Sequence, residues 1–325
     1  MLIVQKFGGS SLADLERLRR SAGIAAEARR RGNDLVVVVS AAGDSTDELI
    51  SSARQIHPHP PARELDALLA TGEQSSAARM AMMLAGLGCP ARSFSGPQAG
   101  IRTDGRFGEA SILSVDPEPL RRCLAAGEIA VAAGFQGQGP EGELSTLGRG
   151  GSDTTAVALA AALGAERCEI YTDVDGIYTA DPRLIPRARL LPEIDAGDML
   201  LLAEGGSQVL HPGSVRLAME KGVPLWLLSS FRAGPGSLVL SLPEARRPLL
   251  AGVTRDRGRG TVTLVGKGAD EGLKEELRAR LEGCGIPVRA AESGEGRVTL
   301  AVAPGQQLQA LELCHRLLEG DSEEG

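Results

Sequence analysis

Between Leu35 and Val39 the chain runs through five apolar residues, Leu-Val-Val-Val-Val, without a polar one to face water. A strand with one wet face alternates apolar and polar residues. The unbroken run therefore predicts a strand buried on both faces, as in a parallel sheet covered by helices. Ile129 to Ala133 has the same character, and Leu2 to Val4 and Leu225 to Leu228 are shorter versions. Aromatic residues make only 2% of a chain that is 42% apolar, so Ala, Val, Leu and Ile must build the core. The 325 residues suffice for one large or two modest domains, and the fold class expected is α/β.

These runs deliver the chain to loops rich in glycine and hydroxyls, at the strand ends where open α/β sheets place their ligands. Leu2 to Val4 leads to Lys6-Phe-Gly-Gly-Ser-Ser11, the second run to Ser40-Ala-Ala-Gly-Asp-Ser-Thr-Asp47, and Ile129 to Ala133 to Gly134-Phe-Gln-Gly137. The densest such stretch is Ser145-Thr-Leu-Gly-Arg-Gly-Gly-Ser-Asp-Thr-Thr155, followed by the apolar run Ala156 to Leu163. It reads as a glycine turn feeding a helix, with Ser152 or Asp153 as a cap and a helix start that favours anions. Within it, Arg149 is a forked donor suited to a carboxylate or phosphate, and Asp153 an acceptor for a cation or a proton. The chain has four lysines, at 6, 221, 267 and 274, so a lysine directly before Gly8-Gly9 stands out as a point charge able to reach phosphate oxygens. Each feature also has an ordinary reading, as a tight turn or a solvent-facing lysine.

Farther along, Leu12 to Arg31 has the periodicity of a half-exposed helix, and Asp47 to Gln55 a second, for which Thr46 would serve as a cap. Glu64 to Leu87 reads as helical but interrupted at Ala70-Thr-Gly-Glu-Gln74, because a helical glycine costs roughly 1 kcal/mol. Glu73 beside that break is a candidate partner for a substrate ammonium. Ala91 to Ser95 is a strand, Gln98 to Ser114 a hairpin with its turn at Thr103-Asp-Gly105, and Pro117 to Ala126 a short helix. The stretch Glu169 to Arg183 crowds carboxylates, two tyrosines and an arginine into a strand end and loop, either a solvated loop or a holder of base, ribose and phosphate. Helices are expected at Asp195 to Ala203 and His211 to Lys221, around Gly205-Gly206.

Several function classes are excluded. A net charge of −7 argues against a nucleic-acid surface. Five cysteines without Cys-x-x-Cys spacing indicate neither a disulfide framework nor a zinc site, but buried thiols in a reducing compartment. His57-Pro-His-Pro-Pro61 holds its rings in a turn without further ligands nearby, so no metal site is assigned. No apolar run is long enough to span a bilayer and no targeting segment is apparent, so a cytoplasmic protein is expected. From Arg232 to Pro248 the chain turns rich in Gly and Pro, which gives domains of 1–245 and 250–325. The tail reads strand (Thr261 to Val265), helix (Leu273 to Leu281), strand (Pro287 to Ala291), strand (Val298 to Val302), helix (Leu308 to Leu318), a small ferredoxin-like α+β unit. The acidic end, Asp321 to Glu324, is expected to fray.

Taken in order, Lys6-Phe-Gly-Gly-Ser10, Thr71-Gly-Glu-Gln74, Gly148-Arg-Gly-Gly-Ser-Asp153 and Tyr171-Thr-Asp-Val-Asp-Gly-Ile-Tyr-Thr-Ala-Asp-Pro-Arg183 closely resemble the signatures of aspartate kinases. Val39 to Leu49 and Val209-Leu-His-Pro212 fit the same pattern, so the resemblance spans roughly 2–231. It implies an amino-acid-kinase fold, with a mostly parallel central sheet between helices, and a small ACT-like tail. It also implies transfer of the ATP γ-phosphoryl group to the β-carboxylate of L-aspartate, the first step of aspartate-family amino-acid biosynthesis. Carried onto this chain, Lys6 would contact the transferring phosphoryl and Asp153 would organise that lysine and the metal. Phe7, Gly8, Gly9, Ser40, Thr172, Asp173, Tyr178, Asp181, Arg183 and Gln208 would line the nucleotide. Thr46, Glu73, Arg149, Gly150, Gly151 and Ser152 would hold the substrate, Glu73 at its ammonium and Arg149 at its α-carboxylate. The resemblance implies Mg²⁺ with the ATP, bound mainly by phosphates, and a homodimer paired through the ACT-like unit.

Three departures from that pattern stand out. Gln208 occupies a position usually lysine beside the ATP phosphates, which predicts weaker ATP binding. The tail has room for one ACT-like module where a tandem pair is usual. Its first loop, Gly268-Ala-Asp-Glu-Gly272, lacks the Pro-Gly pair of effector-binding copies, so feedback by lysine or threonine is not expected. The competing readings are a kinase of another carboxylate or a carbamate, and a non-catalytic regulatory paralogue that binds nucleotide or amino acid.

Overall fold

The computed structural model describes residues 1–319; the acidic end Asp321 to Glu324 lies outside them. In chain order the first elements are β1 (Leu2–Phe7), α1 (Leu15–Arg30), β2 (Asp34–Val39), α2 (Ser45–Ile56), α3 (Ala62–Gly86) and β3 (Ala91–Phe94). Then come β4 (Ile101–Thr103), β5 (Ile112–Val115), α4 (Glu118–Ala125), β6 (Ile129–Ala133), β7 (Gln136–Gln138), β8 (Leu144–Thr146), α5 (Gly151–Leu163) and β9 (Arg167–Thr172). The remainder is β10 (Glu193–Asp195), α6 (Ala196–Glu204), α7 (Pro212–Lys221), β11 (Leu225–Ser229), β12 (Ser237–Leu240), β13 (Gly252–Asp256), β14 (Thr261–Val265), α8 (Glu271–Gly283), β15 (Val288–Gly294), β16 (Arg297–Val302) and α9 (Gln307–Arg316). They form two compact units, Met1–Asp175 with Glu220–Gly236, and Gly176–Met219 with Ser237 onward.

The first unit is built on six parallel strands in the order β11-β9-β1-β2-β6-β3. The apolar runs supply its centre: Leu35 to Val39 and Ile129 to Ala133 are all fully buried. On one face Ile3, Phe7, Val37 and Val39 pack with Leu18, Ala22 and Ala25 of α1 and Met80 and Leu84 of α3. Asp14 starts α1 by accepting a hydrogen bond from the Arg17 N–H at 2.8 Å, a cap that satisfies a free donor of the first turn. Because the strands are parallel, the loops after β1, β2, β6 and β9 all leave the same edge of the sheet. A second, small sheet has the order β5-β4-β7-β8.

The second unit carries the parallel pair β10 and β12 and an antiparallel sheet, β13-β14-β16-β15. Its core gathers Val253, Val262, Leu264, Val298 and Leu300 of that sheet with Leu277 and Leu281 of α8 and Leu311 of α9. Strand β13 precedes the tail as the sequence predicts it, so the order is β-β-α-β-β-α. Its residues Gly252 to Asp256 alternate weakly and carry Arg and Asp, which hides the strand from a hydropathy reading.

Three further expectations are corrected. Helix α3 runs without a break from Ala62 to Gly86. A Cβ on Gly72 would lie 2.9 Å from the Ala41 Cβ, so the glycine marks close packing rather than an interruption. Thr46 lies inside the first turn of α2 and is not its cap. Helix α5 has Gly150 at its N-cap, with φ of 71° and no side-chain cap, so neither Ser152 nor Asp153 caps it. Strands β7 and β8 form a further hairpin, turning on Gly139-Pro-Glu-Gly142, where Gly139 N–H donates to Glu143 O at 2.7 Å.

Candidate active site

Lys6 lies one residue from the end of β1, and its side chain meets the start of α5. Its Nζ stands 2.6 Å from Oδ1 of Asp153, with both side chains largely buried. Asp153 Oδ1 accepts no aligned hydrogen bond beyond this ion pair. Gly8 follows, and a Cβ there would sit 3.6 Å from Lys6 Nζ. A Cβ on Gly9 would fall 2.7 Å from the Ala41 carbonyl oxygen, so only glycine lets the β1 and β2 loops close on one another. Gly43 N–H donates to Gly9 O at 2.9 Å, and Ser40 N–H to Phe7 O at 3.1 Å.

Helix α3 brings a carboxylate to the same edge. Glu73 is 3% exposed, and its Oε1 accepts a hydrogen bond from the Ala41 N–H at 3.0 Å. Its Oε2 is buried without a partner. Burial pushes the Glu73 carboxyl up to about 7, against the smaller lowering effect of the Ala41 N–H. Such a group is poised to receive a cation. Thr46, half-buried on α2, lies beyond the same loop.

The turn before α5 carries Arg149 between Gly148 and Gly150, both with φ of 71°. Arg149 is exposed and, among the described residues, forms no ion pair or hydrogen bond, so its guanidinium fork is free to take an anion. Gly151 opens the helix, where a Cβ would lie 2.9 Å from Leu147 Cβ and from the Phe135 ring. A Cβ on Gly134 would lie 2.8 Å from the buried Ser152 side chain. Two residues here escaped the sequence reading. Phe135 takes φ of 70°, uncommon for a residue with a side chain, and its N–H donates to Thr155 Oγ1 at 3.1 Å while Leu147 N–H donates to its carbonyl at 2.9 Å. Thr155 Oγ1 in turn donates to Gly151 O at 2.8 Å. A phenylalanine and a threonine in an apolar context give no signal of this role.

At the end of β9, Thr172 Oγ1 donates to Asp173 Oδ1 at 3.1 Å, and the Thr172 carbonyl accepts from Ser230 N–H at 2.9 Å. The structure therefore brings together Lys6, Phe7, Gly8, Gly9, Ser40, Thr46, Glu73, Arg149 to Asp153, Thr172 and Asp173 within the first unit. The remaining candidates, Tyr178, Asp181, Arg183 and Gln208, belong to the second unit. There Tyr178 bridges to Leu190, and Arg183 binds Asp181 through Nε at 3.0 Å and Nη2 at 2.9 Å. That bond is the main cause holding the Asp181 carboxyl below its usual range. Gln208 is exposed between α6 and α7.

A concavity of about 670 Å³ lies elsewhere, lined by Gln5, Arg20, Arg31, Arg167, Glu169 and Tyr171 among others. Gln5 and Lys6 are neighbours in an extended strand and point to opposite faces, so this hollow is behind the sheet from the Lys6–Asp153 pair. Among the described residues no cluster of three or more His, Cys, Asp or Glu is placed to hold a metal, and no helix is long and apolar enough to cross a membrane. Four cysteines, at 89, 123, 168 and 314, are buried free thiols, and Cys284 is an exposed one.

Comparison with known proteins bears on this arrangement. Residues 1–229 match the profile of the Amino acid kinase family. An aspartokinase of Thermus thermophilus is 49% identical over 287 residues, which cover 88% of this chain and 71% of that protein. An aspartate kinase structure from Synechocystis superposes with a TM-score of 0.68 at 38% identity, over 95% of this chain and 54% of that one. Escherichia coli aspartokinase III, solved with aspartate and ADP, gives a TM-score of 0.69 at 28% identity, over 95% of this chain and 80% of the other. Measured against the Synechocystis chain, this one spans about half the length.

Proposed function

The chain belongs to the amino acid kinase family, among its aspartokinases, and from that premise we propose that it transfers the γ-phosphoryl group of ATP to the β-carboxylate of L-aspartate, giving 4-phospho-L-aspartate and ADP. The observation that carries this reading is the convergence at one sheet edge of Lys6 paired to Asp153, an Arg149 that has no partner among the described residues, and a buried, half-satisfied Glu73.

The chemistry asks little of acid–base groups. An aspartate β-carboxylate is ionised at neutral pH, so an oxygen attacks the γ-phosphorus directly while the bond to the ADP oxygen breaks, and no proton moves. Catalysis then rests on alignment and on neutralising charge. Lys6 meets the negative charge on the transferring group, and Asp153 holds its ammonium in place. Gly8 and Gly9, without side chains, let the phosphates approach the backbone closely. Of this chain's residues, Asp153 would help to hold the Mg²⁺ that accompanies ATP, as a buried carboxylate whose one ion pair is to Lys6, and the ion would supply further charge neutralisation at the phosphates.

Recognition of the amino acid falls to two opposite charges. Arg149 takes the α-carboxylate in a bidentate contact, and the ammonium satisfies Glu73 Oε2, whose burial is costly without a cation. Thr46 and Ser152 help orient the substrate. Thr172 and Asp173 serve the nucleotide; Tyr178, Asp181, Arg183 and Gln208 are assigned to it by the resemblance alone. In the same reading residues 1–245 form the catalytic domain and 250–325 an ACT-like module that pairs in a homodimer.

The test is ADP release by the purified protein with Mg-ATP and L-aspartate, beside L-glutamate and a Lys6→Ala control. Turnover that depends on aspartate and disappears in the control is the expected result. Absence of turnover with aspartate would refute the assignment.

A further inference from the structure

Helix α3 carries a second buried carboxylate, Asp66, that no part of the proposed chemistry uses. It is 1% exposed. Oδ2 accepts hydrogen bonds from Gly108 N–H at 2.9 Å and Thr146 N–H at 2.7 Å, and Oδ1 from Thr146 Oγ1 at 2.9 Å. Among the described residues no arginine or lysine pairs with it. A carboxylate so buried, and compensated only by neutral donors, is a costly way to fasten a loop, so what it fastens should matter.

What it fastens is the approach to Arg149. Thr146 ends β8, and three residues later Arg149 stands between two glycines in left-handed conformation. Glycine-flanked backbone has few restraints of its own, so the position of that guanidinium depends on the anchors at either side. One is the start of α5. The other is Thr146, held through both its backbone and its hydroxyl by Asp66. The loop holding Gly108 is tied in as well: Ala110 N–H donates to Thr146 O at 2.8 Å, and a Cβ on Gly148 would lie 3.1 Å from Gly108 O.

The middle of the same helix adds the second group. Glu73 is seven residues beyond Asp66 in an unbroken α-helix, which puts both on nearly the same face about two turns apart. One rigid rod thus bears the group assigned to the substrate ammonium and the clamp for the turn that bears its α-carboxylate partner. We propose that Asp66 is a positioning residue for the amino-acid substrate, setting the separation between Glu73 and Arg149 through its grip on Thr146 and Gly108. This rests on the roles given to Glu73 and Arg149 above.

The experiment is initial-rate kinetics of the full chain with aspartate and Mg-ATP varied separately, for the parent and for D66A, D66N and T146V, each with its thermal midpoint. D66A should raise KM for aspartate by about tenfold or more while KM for Mg-ATP stays within about twofold, because only the amino-acid clamp loses alignment. D66N should recover to within about threefold, since its amide oxygen can accept both N–H groups and its NH₂ can donate to Thr146 Oγ1. T146V deletes the hydroxyl bond alone and should raise KM for aspartate a few-fold, a readout that remains if D66A does not fold. The proposal is overturned if D66A and T146V lower the thermal midpoint yet leave KM for aspartate unchanged, or raise both KM values alike. A parent protein without aspartate-dependent turnover overturns the functional reading, and this inference with it; a parent that turns over while D66A keeps its KM overturns this inference alone.

Discussion

Glu73 shows how one buried atom sets a pH dependence. Its folded-state carboxyl, at about 7, lies above the ordinary 4.5 because burial disfavours the charge. Between those values the folded chain keeps a proton that the unfolded chain releases. The resulting stability is full below about pH 4.5 and is lost as pH rises through 7, on the order of 3 kcal/mol in all. E73Q should therefore melt at a higher temperature than the parent at about pH 8 and match it at acid pH, as calorimetry across pH would record. Binding an ammonium needs the ionised form, so KM for aspartate should climb as pH falls below about 7 in the parent and lie high and flat in E73Q. Gln208 gives a second prediction at this scale. The exposed amide stands where the resemblance to aspartate kinases implies a lysine, and Q208K should lower KM for ATP by a few-fold through the added charge. An unaltered KM would remove Gln208 from the nucleotide site. Lys6, Arg149 and Glu73 stand out as candidates in the sequence because charged residues beside glycines are conspicuous. Phe135, Thr155 and Asp66 do not, since their roles come from partners between 4 and 80 positions away.

At the scale of elements, two helical glycines that look alike in sequence should respond in opposite ways. Gly23 lies within α1, and a Cβ there would meet nothing within 4 Å. G23A should stabilise the protein by about 0.5–1 kcal/mol, because alanine loses less backbone entropy in a helix. Gly72 lies within α3, and a Cβ there would press on Ala41 at 2.9 Å. G72A should lower the melting temperature and raise KM for aspartate, since the Ala41 loop must yield and Glu73 is bonded to its N–H. Equal shifts for the two variants would show that propensity, not packing, decides at position 72. The strands β2 and β6 were legible from their unbroken apolar runs, α1 from its periodicity, and α5 from the glycine turn and apolar run that announce it. The strands β7, β8 and β13 were not, because they are short, carry Gln, Ser, Thr, Arg or Asp in place of an apolar run, and owe their pairing to partners elsewhere in the fold.

For the whole molecule, the consequence concerns assembly and control. The antiparallel sheet of the second unit ends in β13 and β15, and β15 has mostly exposed residues. An open edge of this kind invites pairing with another chain. Light scattering should give twice the chain mass, and a monomer at working concentration would count against the ACT-like pairing. In the loop from Gly268 to Gly272, Asp270 caps α8 by accepting from Leu273 N–H at 3.0 Å, so its side chain is committed to the helix start. Lysine and threonine should accordingly leave the rate unchanged; inhibition by either would assign that loop, or another surface, to an effector.

The sequence by itself determined that this chain would fold around a parallel sheet, because five-residue apolar runs have no wet face to offer. It also pointed to the loops where those runs end in glycine as the candidate site, since parallel strands send their following loops to one edge. Only the tertiary structure decided which further groups meet there: that Gly72 is a contact with Ala41 and not a break, and that Asp66 ties α3 to the Arg149 turn. Local pattern encodes period and backbone freedom. The company a side chain keeps is set by packing across the fold, and no window of sequence contains it.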